Sequence, residues 1–154
     1  MNIKNIRQNN GITMVALVIT IILLLILSGI SITGVIRGVD ETQEASQFSQ
    51  LNMIQHTLLE RKTKAQFTKE ELPGTEISEE NLEKVLNEIK EKTNQEIILK
   101  GKIQDYKELN TTDLENLGIS KDNDTYIVNY KTGEVINKTK LTTKSGKILY
   151  TYSE

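Results

Sequence analysis

From Gln8 to Ile36 the chain carries no charged side chain, a run of 29 residues. No other feature restricts its fold so strongly. About 20 apolar residues at 1.5 Å each cross a hydrocarbon core, so Ile12–Ile36 is long enough to span a bilayer with some tilt. Of the 57 hydrophobic residues, 18 fall in those 25 positions, which leaves 39 for the other 129. The remainder is polar and is expected to fold around a modest core. Lys4 and Arg7 precede the run, whereas Arg37 after it is soon followed by Asp40 and Glu41. The basic excess lies at the start, so the N-terminus is expected in the cytoplasm and the C-terminal part outside it.

Composition removes several classes of function. There is no cysteine, no tryptophan and one histidine, which excludes disulfide frameworks and thiolate sites and leaves little for zinc or histidine-dependent catalysis. The 19 bases and 21 acids give a net charge of −2 and are mixed along the chain. That balance offers no basic footprint, and no nucleic acid partner is expected. The sequence presents no nucleophile–base pattern and no phosphate-cradling glycine loop, so neither an enzyme nor a cofactor is expected.

A secretory signal has an apolar stretch of about 7–15 residues before a small-residue cleavage site. Here the stretch is roughly twice as long, and the small residues Ser28, Gly29 and Ser31 lie late within it. A plain signal anchor that keeps Met1 is one alternative. The order of residues offers another. Gly11-Ile12-Thr13-Met14-Val15-Ala16-Leu17-Val18-Ile19 sets a glycine between a short basic leader and the apolar helix. This resembles the processing segment of type IV prepilins and of the pseudopilins of type II secretion, with Thr13, Leu17 and the branched run matching the family over about the first 55 residues. The resemblance implies cleavage between Gly11 and Ile12 by a membrane prepilin peptidase, and Ile12 as the new N-terminus and candidate for N-methylation. It also implies a membrane-stored subunit whose partners are other pilin-like chains, the lipid bilayer and a membrane assembly platform, reaching the cell surface if assembled. The chain departs from the family at three positions. Ile12 stands where Phe or Met is usual, Ala16 where the family carries glutamate, and Thr33 where many members have a kinking proline.

The implied layout is a leader over 1–11, a membrane and assembly helix over 12–36, an amphipathic continuation over 37–66 and a small head over 67–154. Val39, Phe48, Leu51, Ile54 and Leu58 extend the helical period past Arg37, with Met53 and Leu59 beside them. A helix from Ile12 to about Ala65 would run roughly 80 Å; two helices joined near Gly38 are the alternative. Leu72-Pro73-Gly74-Thr75 is expected to end it. Ser78 caps a short amphipathic helix over Glu79–Lys92, Ile97-Ile98-Leu99 predicts a strand within Glu96–Ile103, and Thr112–Gly118 predicts one helical turn with a glycine stop. The turns at Lys131–Glu134 and Lys144–Lys147 divide residues 125–152 into an antiparallel meander. Tyr126, Val128, Tyr150 and Tyr152 are expected to face the long helix. The predicted fold class is therefore α+β and pilin-like, a long helix on a small antiparallel sheet.

Within the apolar run, Ser28, Gly29, Ser31 and Gly34 form a stripe of small residues suited to close helix packing. Asp122 and Asp124, flanking Asn123, are weak calcium candidates, since calcium takes six to eight oxygens and nothing else completes the spacing. His56 reads as a solvated helix residue. The acid pairs Glu70-Glu71 and Glu79-Glu80 sit at turns and helix starts, and the sequons at Asn110 and Asn137 read as accidental. The expected role is a structural subunit of a type IV filament or type II secretion-like machine. The rival is a single-pass anchored binding module that never polymerises.

Overall fold

The computed structural model describes residues 6–119 and 123–153, with side chains over 14–24, 40–119 and 123–153. Helix α1 (Ile6–Thr68) crosses the boundary between two compact units, Met1–Thr42 and Gln43–Glu154. The first unit is helical wherever it is described. Among the described residues no helix is long and apolar enough to cross a membrane.

The second unit is α+β with a small antiparallel sheet, as expected, and the sheet has five strands. Its strands are β1 (Thr75–Glu76), β2 (Tyr106–Leu109), β3 (Tyr126–Asn129), β4 (Glu134–Asn137) and β5 (Tyr150–Thr151), and their spatial order follows the sequence. Helix α2 (Glu79–Thr93) and a 3-10 turn at Ile103–Asp105 lie between β1 and β2, and helix α3 (Thr111–Asn116) between β2 and β3.

Local chemistry explains the boundaries. The chain leaves α1 through Lys69 in the left-handed region (φ 56°), with Lys69 N–H bonded to Ala65 C=O at 2.9 Å. The helix thus stops before Pro73-Gly74. Ser78 Oγ accepts from Asn81 N–H and begins α2, which closes at Asn94 in the left-handed region. Asn110 and Asp113 exchange bonds in a capping box at the start of α3. Past its end, Gly118 (φ 80°) lets Ile119 N–H return to Leu114 C=O. In the β3–β4 turn, Asn129 Oδ1 accepts from the N–H groups of Lys131 and Thr132, and Gly133 N–H bonds Asn129 C=O.

Both faces of the sheet are buried, which the sequence reading missed. Leu51, Ile54 and Leu58 of α1 pack on Leu109, Tyr126, Val128, Tyr130, Val135 and Leu149. On the other face Leu82, Val85 and Ile89 of α2 pack with Ile97, Tyr106, Ile127, Ile136 and Leu141. Strand alternation makes this necessary: Tyr126 and Val128 point one way, Ile127 the other. Tyr150, opposite Ile136 in the register, packs on the α2 side, and Tyr152 is exposed. Of the four side chains expected against α1, Tyr126 and Val128 are there and the two tyrosines are not. The expected strand at Glu96–Ile103 is also corrected. Residues 95–99 run outside any helix or strand, because the N–H groups at their end bind a side-chain carboxylate rather than a neighbouring strand.

Burial fixes the alkaline limit of this unit. Desolvation raises the phenol pKa values of Tyr106, Tyr130 and Tyr150 well above the ordinary value, and the Glu134 carboxylate adds to the rise at Tyr106 and Tyr150. A group whose folded pKa is raised stabilises the fold fully below its unfolded value, about 10 for tyrosine, and loses that contribution as pH rises through the folded value. Melting temperature is therefore expected to fall above about pH 10. Tyrosinate absorbance should rise together with the loss of helical circular dichroism. Smooth ionisation of these three phenols in a still-folded chain would refute the packing given to them.

Candidate functional site

Two places in the molecule concentrate unusual physical chemistry. The first is the apolar stretch of α1. From Met14 to Leu24 its large side chains are 48–73% exposed, and consecutive positions 100° apart place them around the whole circumference. Thr20 interrupts the stretch, and its Oγ1 donates to Leu17 C=O at 2.8 Å, so its hydroxyl proton is satisfied within the helix. Ala16 is exposed in the middle of this surface. Gly11 and Ile12 lie in the α1 span, while their side-chain surroundings, like those of Ser28, Gly29, Ser31 and Gly34, lie outside the described residues. An isolated apolar surface of this kind is unfavourable in water and favourable in lipid or against other helices.

The second place is the carboxylate of Glu134, the first residue of β4, which is fully buried. Five donors converge on it. Lys100 N–H (2.8 Å) and Gly101 N–H (3.2 Å) come from the segment after α2. Thr132 Oγ1 (2.6 Å), Tyr150 Oη (3.0 Å) and Tyr106 Oη complete the set. Burial pushes the carboxyl pKa up, but the hydrogen bonds from Thr132, Tyr106, Lys100 and Tyr150 outweigh it, and the group titrates below the usual carboxylate range. The anion is held by donors on both oxygens, which suits a fixed structural charge better than a base awaiting a proton. Gly101 is needed here by space alone, since a Cβ on it would come within 2.0 Å of Asn129 Nδ2. That nitrogen is buried without a hydrogen-bond partner among the described residues.

The second unit is also tied to its stretch of α1. Glu44 accepts from Ser145 Oγ and from Lys147 Nζ on the loop before β5, and these bonds hold its carboxyl below the usual range. Gln55, almost buried, donates from Nε2 to Gly133 C=O at 2.9 Å. His56 is exposed. Asp124 is almost buried and accepts from Asn137 Nδ2 and Lys140 Nζ, both at 3.0 Å. Its calcium-candidate partner Asp122 lies outside the described residues. Among the described residues no three His, Cys, Asp or Glu side chains are grouped so as to hold a metal.

Sequence reasoning missed Glu134, Gln55 and Glu44. A signal for Glu134 was present in its parity, which puts it on the same face as Ile136. Gln55 likewise follows Leu51 by four residues on the buried stripe. Compared with known proteins, the chain matches no family model, no curated protein and no solved structure.

Proposed function

We propose that the chain is a pilin-like or pseudopilin subunit of a type IV filament or type II secretion-like assembly, stored in the membrane before assembly. The observation that carries the proposal is the apolar surface of Met14–Leu24. It lies in a charge-free run that begins beside a basic leader and Gly11, and it precedes a separately compact unit from Gln43 onward. In this reading α1 supplies a membrane half and an amphipathic half, the second laid on the head sheet through Leu51, Ile54 and Leu58. The N-terminus is cytoplasmic, the head is extracytoplasmic, and the chain works by assembly with other pilin-like subunits rather than by catalysis. Helix packing supplies the contacts between subunits, and the energy for assembly comes from a cytoplasmic motor outside this chain.

Processing tests the proposal. Cleavage between Gly11 and Ile12 removes Lys4 and Arg7, so 17 bases then face 21 acids and the formal charge moves from −2 to −4. Intact-mass measurement on chain extracted from membranes of cells that contain a prepilin peptidase is expected to find Ile12 at the N-terminus. A chain still carrying residues 1–11 in such cells counts against the proposal and in favour of the anchored binding module.

A further inference from the structure

Beyond assembly, the second unit contains a cleft with the chemistry of a ligand site. Its volume is about 490 Å³, inside the roughly 300–1,000 Å³ typical of small-molecule pockets. It opens between the end of α1, the segment before β1, the 3-10 turn and the β3–β4 turn. Ala65, Leu72 and Tyr130 give it an apolar wall, and Tyr130 is held in place because its Oη donates to Pro73 C=O at 2.8 Å.

Three lysines line the same cleft, and their charges are balanced unequally. Lys131 Nζ is 2.7 Å from Asp105 Oδ1 and is neutralised there. Glu70, the other acid of the lining, is 3.8 Å from the Arg61 guanidinium. Lys62 Nζ instead donates to Lys131 C=O at 3.3 Å, and Lys107 Nζ to Leu72 C=O at 3.0 Å. These acceptors are neutral. Among the described residues neither ammonium has a carboxylate within ion-pair distance, and each retains N–H donors beyond the one bond given, since an ammonium has three. The part-buried bond to Leu72 C=O also orients Lys107, which reduces the ordering a ligand must supply there.

We propose that this cleft binds a small carboxylate on a flat apolar body, with the anion between Lys62 and Lys107 and the body against Ala65, Leu72 and Tyr130. The charge complementarity selects an anion, and the apolar wall selects what carries it. The inference does not rest on the filament reading and would hold equally for a chain that never polymerises.

The test uses the full chain in detergent micelles, isotopically labelled and titrated with benzoate, benzamide and inorganic phosphate. Benzoate is expected to give saturable shifts centred on Ala65, Leu72 and Tyr130, with benzamide at least about tenfold weaker, the size expected for one lost charge-assisted contact, and phosphate at least about tenfold weaker because it has no apolar body to bury. Lys62→Gln combined with Lys107→Gln should weaken benzoate by at least the same factor while leaving the melting temperature unchanged. If the double variant does not fold, Lys62→Gln alone carries the test, because that side chain lies on α1 outside the sheet. Equal binding of benzoate and benzamide would reduce the site to an apolar dent, and equal binding of benzoate and phosphate to a patch of charge. Either result overturns the proposal, as does an absence of saturable shifts or undiminished binding by the lysine variants.

Discussion

Replacing Glu134 by alanine is expected to destabilise the second unit by about 3–5 kcal/mol, because one substitution removes the acceptor of several hydrogen bonds to a charged group. The substitution leaves the N–H groups of Lys100 and Gly101 and the hydroxyls of Tyr106, Thr132 and Tyr150 without their common acceptor. An orphaned buried donor costs about 1–3 kcal/mol; four of the five bonds are only part-buried and water recovers part of their loss, so the sum is not additive. Against a typical stability of about 5–15 kcal/mol, the loss is a large fraction of the total and is expected to lower the melting temperature steeply. Urea unfolding of the full chain in micelles measures it, and a change below about 1 kcal/mol would show that the carboxylate does not organise the sheet. Glu134→Gln asks a sharper question. The folded pKa of Glu134 is depressed, so its stabilisation is present above the unfolded value of about 4.3 and is lost as pH falls through the folded value. The glutamine variant should be less stable near neutrality, because its amide brings two donors to a site already filled with donors. It should also lose part of the acid-induced decline of the parent chain.

The same carboxylate shows where sequence reasoning succeeds and where it stops. Elements governed by neighbours in the chain were legible. Ser78 with Glu79 and Glu80 announced α2, Gly118 announced the end of α3, and Lys131-Thr132-Gly133 announced the β3–β4 turn, since caps and turns act over three or four residues. Elements that exist only through distant partners were not. Tyr106-Lys107-Glu108-Leu109 has two charged residues at its centre and no alternation, yet it is β2 because β1 and β3 pair with its two edges. Ile97-Ile98-Leu99 has the composition of a strand but no strand to pair with. Ile97 is drawn into the α2 cluster, Ile98 stays exposed, and the following N–H groups go to Glu134.

The site divides in the same way. The apolar run needed no structure to be seen, because it is written in consecutive residues; that a bilayer is its solvent and Gly11 its processing site belongs to the filament reading. Glu134, Glu44 and the lysines of the cleft acquire their meaning from groups tens of residues away. Glu44 meets Ser145 and Lys147, and Lys62 meets the carbonyl of Lys131. A buried ion is stable only where donors converge, and convergence is a property of the fold. Inward parity of an acid, as with Glu134 beside Ile136, is the most that sequence supplies in advance.

On the filament reading, Ala16 has the largest consequence for assembly. In the family that the N-terminal segment resembles, the glutamate matching this position is taken to pair with the free N-terminal amine of a neighbouring subunit. A charge deep in a bilayer costs about 2.5–3.5 kcal/mol on insertion scales, so an amine entering a filament core strongly favours a site that offers an anion. Ala16 offers none, and it lies on an exposed apolar surface between Val15 and Leu17. A subunit built this way can occupy a filament tip, where no further amine has to be received, or act as a minor component. Imaging of surface filaments is therefore expected to find few or no long homopolymers of this chain, with co-purification recovering it alongside other pilin-like subunits. Ala16→Glu should increase incorporation within filaments if the amine is the limiting term. Abundant homopolymers of the parent chain would refute the minor role, leave the cleavage at Gly11 untouched, and require that neighbouring carbonyls or Thr13 satisfy the buried amine.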